Sequence, residues 1–136
     1  MPESPHSRRE APDPTPRQPA SASTWVLRLA FAGAVGIHLV ALYLPTTPGG
    51  PSGPPGADKA VHVLVFALVM LTGRLLRLPG VPLAAVLAVH AGVSELVQHL
   101  VLPGRTGDVA DVVADLAGVG LGWYVATMIT RHRLQR

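Results

Sequence analysis

The chain contains no cysteine, which excludes a secreted domain held together by disulfides. Charge is also scarce. Asp, Glu, Lys and Arg make up 14% of the residues, against about 25% in a typical soluble domain. A length of 136 residues leaves no room for a two-domain enzyme. No nucleotide-binding loop, no H-E-x-x-H metalloprotease signature and no nucleic-acid-binding motif is present. What the chain does have is apolar surface: 49% of its residues are hydrophobic, and they are unevenly placed. Residues 1–24 contain only Met1, Ala11, Ala20 and Ala22 among hydrophobic types, together with six prolines. Such a segment cannot bury enough surface to offset its ordering entropy, so a disordered tail is expected over 1–24. It does not read as a signal peptide, because no apolar core follows closely on a basic start.

The rest divides into four apolar stretches, about 25–44, 60–78, 81–102 and 109–129. Each is close to the roughly 20 helical residues needed to cross a bilayer core. The runs are continuous rather than alternating, so helices are expected instead of barrel strands. A soluble four-helix bundle would need a polar outer face on every helix, and Val81–Val93 and Leu116–Ile129 offer none. The connections are a Pro/Gly-rich loop over 45–57, a tight turn at Leu78–Pro82 and a short loop at Pro103–Gly107. The expected fold is therefore all-α: an integral membrane four-helix up-down bundle over 25–130, followed by a basic tail at 131–136.

Charge sets the expected orientation. Arg8, Arg9, Arg17, Arg28, Arg74, Arg77, Arg131, Arg133 and Arg136 fall on one side of such a bundle, and only Lys59 and Arg105 on the other. The positive-inside rule then places both termini in the cytoplasm. The net charge of +3 becomes a topology signal, with contact to anionic inner-leaflet lipids as a further consequence. It gives no ground for nucleic-acid binding.

The acidic residues mostly go the other way: Glu3, Glu10 and Asp13 lie in the tail, and the other five gather at the outward ends. Asp58, Lys59 and His62 open the second stretch, Glu95, Gln98 and His99 close the third, and Arg105 lies in the loop beyond. The fourth begins with Asp108, Asp111 and Asp115, whose spacing puts them on one stripe that continues through Gly118 and Gly122. Asp115 lies about 10 Å deeper than Asp108 along a helix. An acid within an apolar span must face protein or water and find a partner there. The two glycines form a small-xxx-small step that allows a neighbouring helix to approach closely beneath the acids.

Four fragments carry a resemblance: Asp58-Lys59-Ala-Val-His62, Glu95-Leu-Val-Gln98, Pro103-Gly104-Arg105 through Asp111, and Asp115-Leu-Ala-Gly118. Their order and their places at the helix ends resemble the VanZ-like family of small bacterial multi-pass membrane proteins, over about residues 58–122. The chain departs from that pattern at Asp115, where the family often has Asn. The resemblance implies a protein of the bacterial cell envelope, in a family whose named member is associated with resistance to the glycopeptide teicoplanin.

Two readings of the polar residues follow. In the first, Asp58, Lys59, His62, Glu95, Gln98, Arg105, Asp108, Asp111 and Asp115 form an extracytoplasmic pocket. Its ligand would be an envelope lipid, a peptidoglycan-related molecule or a glycopeptide. His62, Glu95 and Asp111 are the candidate acid–base groups, and Arg105 can clamp a phosphate or carboxylate. In the second, the same residues only latch helix ends, Arg105 pairing with Asp108 or Asp111 and Glu95 with His62 or Lys59. A small transporter component is a third possibility, disfavoured by the lack of an inverted repeat. His62, Glu95 and His99 have the ligand types for zinc, but the sequence alone assigns no metal and no cofactor. His38 and His90 read as single neutral histidines bonded to nearby backbone. Arg28 reads as a snorkelling side chain, and Trp123 and Tyr124 as packing residues or an interfacial belt.

Overall fold

The computed structural model describes residues 22–44, 54–102 and 108–135, and these are all-helical in architecture. Four helices follow one another: α1 (Ala22–Tyr43), α2 (Ala57–Leu75), α3 (Gly80–Val101) and α4 (Val109–Leu134). Most of the tail expected to be disordered, the Pro/Gly loop from 45 to 53 and the 103–107 loop lie outside the described residues. Three helices, α1, α3 and α4, are long and apolar enough to cross a membrane. α2 is shorter than these, at 19 residues, and carries Asp58, Lys59 and Arg74 near its two ends.

The helix boundaries follow local chemistry. Residues 76–78, expected to continue the second helix, instead close it. The Arg77 N–H donates to the Arg74 carbonyl and the Leu78 N–H to the Gly73 carbonyl. These are the two bonds of a Schellman cap, with Pro79 next in the chain. Arg77 occupies the left-handed position at φ 65°, where glycine is usual and an L side chain is strained. Asp108 caps α4, its carboxylate accepting from the Ala110 N–H at 3.0 Å, which satisfies one of the open donors of the first turn. At the far end α4 runs on to Leu134, so Arg131 and Arg133 belong to its last turn rather than to a separate tail. Cations there face the negative end of the helix dipole.

Packing centres on α2, which meets α4 most extensively and also touches α1 and α3. Contacts advance together along α2 and α4: Lys59 meets Asp111, His62 meets Asp115, and the Val63 and Ala67 carbonyls face Gly118 and Gly122. The two helices therefore run side by side in the same direction. A Cβ at either glycine would run into the α2 backbone, so the close approach depends on both being glycine. The start of α3 at Gly80 lies against the Trp123 ring, while Glu95 near its end reaches His62 at the start of α2. That places α3 in the opposite sense to α2 and α4. Phe66, Leu42 and Met70 fill the centre.

The outer surface is as apolar as the core. Val26, Leu29, Val81, Val86, Val89, Leu100 and Val113 are all largely exposed. A water-facing monomer does not carry that much continuous apolar surface, so the exposed faces suit lipid and point to a membrane protein. Within such helices polar groups are satisfied locally. The Thr72, Thr127 and Thr130 hydroxyls donate to carbonyls four residues back.

Candidate functional site

Three helix ends build the polar cluster. Asp115 and Asp111, four residues apart on α4, face the first turns of α2, where Lys59 and His62 occupy matching positions three apart. His62 Nδ1–H donates to Asp115 Oδ1 at 2.8 Å. Glu95 enters from α3, with Oε1 3.7 Å from the same imidazole nitrogen. Its other oxygen, Oε2, accepts from the Asp108 backbone N–H at 3.0 Å. Lys59 closes the rim, donating to Asp111 Oδ1 at 2.9 Å and to Asp108 Oδ2 at 3.3 Å. The amide of Ala110 and the ammonium of Lys59 hold the exposed Asp108 carboxyl below the usual carboxylate range.

The cluster is graded in depth. Asp108 is exposed and Lys59 partly so, whereas His62, Glu95, Gln98 and Asp111 are buried and Asp115 is wholly enclosed, at 0% exposure. Among the described residues, three polar atoms at the bottom have no hydrogen-bond partner: Glu95 Oε1, Asp115 Oδ2 and Gln98 Nε2. A buried polar atom left unpaired costs about 1–3 kcal/mol, and more when charged. Among the described residues, surface clefts open at the other end of the helices, one of them lined by Arg74, Arg77 and Arg133. The cluster is thus a small enclosed site with an exposed charged rim.

Of the residues singled out from the sequence, Lys59, His62, Glu95, Asp108, Asp111 and Asp115 come together. Gln98 is buried on the Glu95 face of α3, three residues on. Asp58 is exposed, with no hydrogen bond or ion pair to the cluster among the described residues. His99, one helical turn beyond Glu95, is exposed as well, so the zinc set His62, Glu95 and His99 does not assemble among the described residues. Its place is taken by Asp115: His62, Glu95 and Asp115 each offer a ligand atom within 4.8 Å of the others. Arg105 lies outside the described residues, and Lys59 makes the pairing to Asp108 and Asp111 that the latch reading gave to it.

A second polar group was not expected. His38 and His90 are bonded to each other rather than singly to backbone. Their Nε2 and Nδ1 atoms lie 3.1 Å apart, and the Tyr43 hydroxyl lies 3.0 Å from His90 Nε2. With Tyr43 O–H donating to His90 and His90 Nδ1–H donating to His38, both bonds form between neutral rings. The Phe66 ring stands edge-on to His38 at 4.5 Å. The sequence signal was their position on apolar helices, but contact across 52 residues has no local signature. Arg28 and Arg74 rest on the faces of Trp25 and Trp123 at 5.0 and 5.1 Å, which gives both guanidinium groups a cation–π partner.

Comparison of the chain with protein-family models, with curated proteins and with solved structures finds no match.

Proposed function

We propose that the protein is a multi-pass membrane protein of the bacterial cell envelope that holds a polar ligand at the outward ends of its helices. In this reading all four helices span the membrane in an up-down bundle. Both termini are cytoplasmic, as the distribution of Lys and Arg favours. The ligand is an envelope lipid head group, a peptidoglycan-related molecule or a glycopeptide, in line with the resemblance to VanZ-like proteins. A link to teicoplanin-type resistance follows from that resemblance alone. The observation that carries the reading is the convergence of Lys59, His62, Glu95, Asp111 and Asp115 from three helices on one enclosed cluster. Ionisable groups inside a membrane protein are functional by default, because their insertion is costly.

A latch is the second reading. It is favoured by Lys59 bridging Asp108 and Asp111 and by the bond from the Asp108 amide to Glu95, which together tie three helix ends. Glycopeptide susceptibility of cells producing Glu95→Gln or Asp111→Asn separates the two. Altered susceptibility with unchanged membrane abundance supports the site. Failure of both variants to accumulate supports the latch. Cysteines placed at Ser23 and Ser52 test orientation: reagent added outside cells should label position 52 and not position 23, and the reverse pattern overturns it.

A further inference from the structure

We infer that His62, Glu95 and Asp115 form a binding site for one divalent transition-metal ion of the zinc type. The inference rests on the reading of this cluster as a ligand site and goes further, by naming the occupant of its floor.

Geometry comes first. Metal–ligand bonds of roughly 2.1 Å in a tetrahedral site put ligand atoms about 3.4 Å apart. His62 Nδ1 lies 2.8 Å from Asp115 Oδ1 and 3.7 Å from Glu95 Oε1, and each of the three residues offers a ligand atom within 4.8 Å of the others. Small side-chain rotations bring such a triad to bonding distance. The three ligands come from α2, α3 and α4, so the ion would join the elements that carry the site.

Charge and bonding give the second, independent argument. Glu95 Oε1 and Asp115 Oδ2 are buried acceptors without a donor. Among the described residues the cation paired within the cluster, Lys59, is already committed to Asp108 and Asp111. Two carboxylates that share one imidazole in an enclosed space therefore lack a full counter-charge, and an unpaired buried charge is among the costliest arrangements in a protein. A dication neutralises both carboxylates and gives Glu95 Oε1 the partner it lacks. Imidazole with carboxylate oxygen is a donor set suited to zinc and its neighbours, whereas magnesium and calcium favour oxygen alone. Three protein ligands leave one position for water or for an oxygen of a bound head group. This matches a site whose rim is exposed while its floor is closed.

The full-length chain in detergent, stripped with a chelator and dialysed against Zn²⁺ alone, tests the assignment by elemental analysis. About one Zn²⁺ per chain is expected, with affinity falling at least about tenfold in Glu95→Gln and Asp115→Asn. Asp58→Asn and His99→Ala, at exposed positions, should retain it. Co²⁺ added to the unsubstituted chain should give visible absorption bands of a low-coordinate site, a readout that needs no variant to fold. Zn²⁺ uptake no higher than in a protein-free blank, or binding lost in His99→Ala and kept in Glu95→Gln, overturns the inference. The Asp111→Asn susceptibility assay stands apart, because Asp111 is not one of the three ligands. An effect there without Zn²⁺ binding removes the ion and leaves the ligand site standing; Zn²⁺ binding without that effect removes the ligand reading instead.

Discussion

The two buried polar groups differ in what they ask of the surrounding structure. His38, His90 and Tyr43 join α1 to α3 through groups that are neutral donors and acceptors in turn. His62, Glu95 and Asp115 bring two acids to one imidazole and leave carboxylate oxygens unpaired. The first arrangement leaves a neutral ring nitrogen, His38 Nδ1, unpaired among the described residues but carries no charge, and reads as a fastening between helices. The second is complete only with something more. Membrane interiors tolerate polar pairs as fastenings, but an unbalanced set of charges is retained there for a function.

Substitutions sharpen that contrast. His62→Ala should have the largest effect, about 3–5 kcal/mol of stability, because it removes the partner of buried carboxylates; thermal unfolding in a fixed detergent measures it. A shift no larger than that of an average surface change would mean the cluster is not charged as drawn. Gly118→Val comes next, at about 1–3 kcal/mol from overpacking against the Val63 carbonyl. It should disturb the imidazole signals of His62 in a magnetic-resonance spectrum more than those of His38 and His90, which it reaches only through the Phe66 ring. Equal disturbance of both groups would erase the distinction between them. His90→Leu should cost less, about 1–2 kcal/mol for the lost bonds to Tyr43 and His38, and should leave Zn²⁺ uptake unchanged. The smallest effect belongs to the rim. The Asp108 carboxyl is held below its usual range by the Ala110 amide and Lys59. Its contribution is therefore present above the ordinary carboxylate range and lost as pH falls through its lowered folded value. The difference in unfolding temperature between the unsubstituted chain and Asp108→Asn should shrink on acidification, and growth of that difference at low pH would contradict the assignment.

Much of this was legible in the sequence because it is written at helical spacing. Apolar runs announced the helices, and Asp111, Asp115, Gly118 and Gly122 announced the face that α4 turns toward a neighbour. That the neighbour is α2, running in the same direction, is a tertiary fact. Chain connectivity favoured adjacent helices, whereas the closest packing joins α2 and α4, where both glycines admit the α2 backbone. The same limit explains the site. Glu95 was visible as an acid in an apolar run and was already a candidate partner of His62, but spacing added His99, its helical neighbour, where the structure has Asp115. The fold turns His99 outward and sets Glu95 against His62 and Asp115 from other helices. The pairing of His38 with His90 escaped for the same reason. The end of α2 escaped because Arg77 takes a left-handed position that composition assigns to glycine.

The most direct measurement is the unfolding temperature of Glu95→Gln, taken beside the unsubstituted chain in one detergent without added metal. Gln keeps the shape and an acceptor for the Asp108 amide while removing one charge from the enclosed cluster. A site kept for binding at the expense of stability predicts an unfolding temperature equal to or higher than that of the unsubstituted chain. A fall of several degrees would show that the Glu95 charge holds the helices together, and would contradict the account.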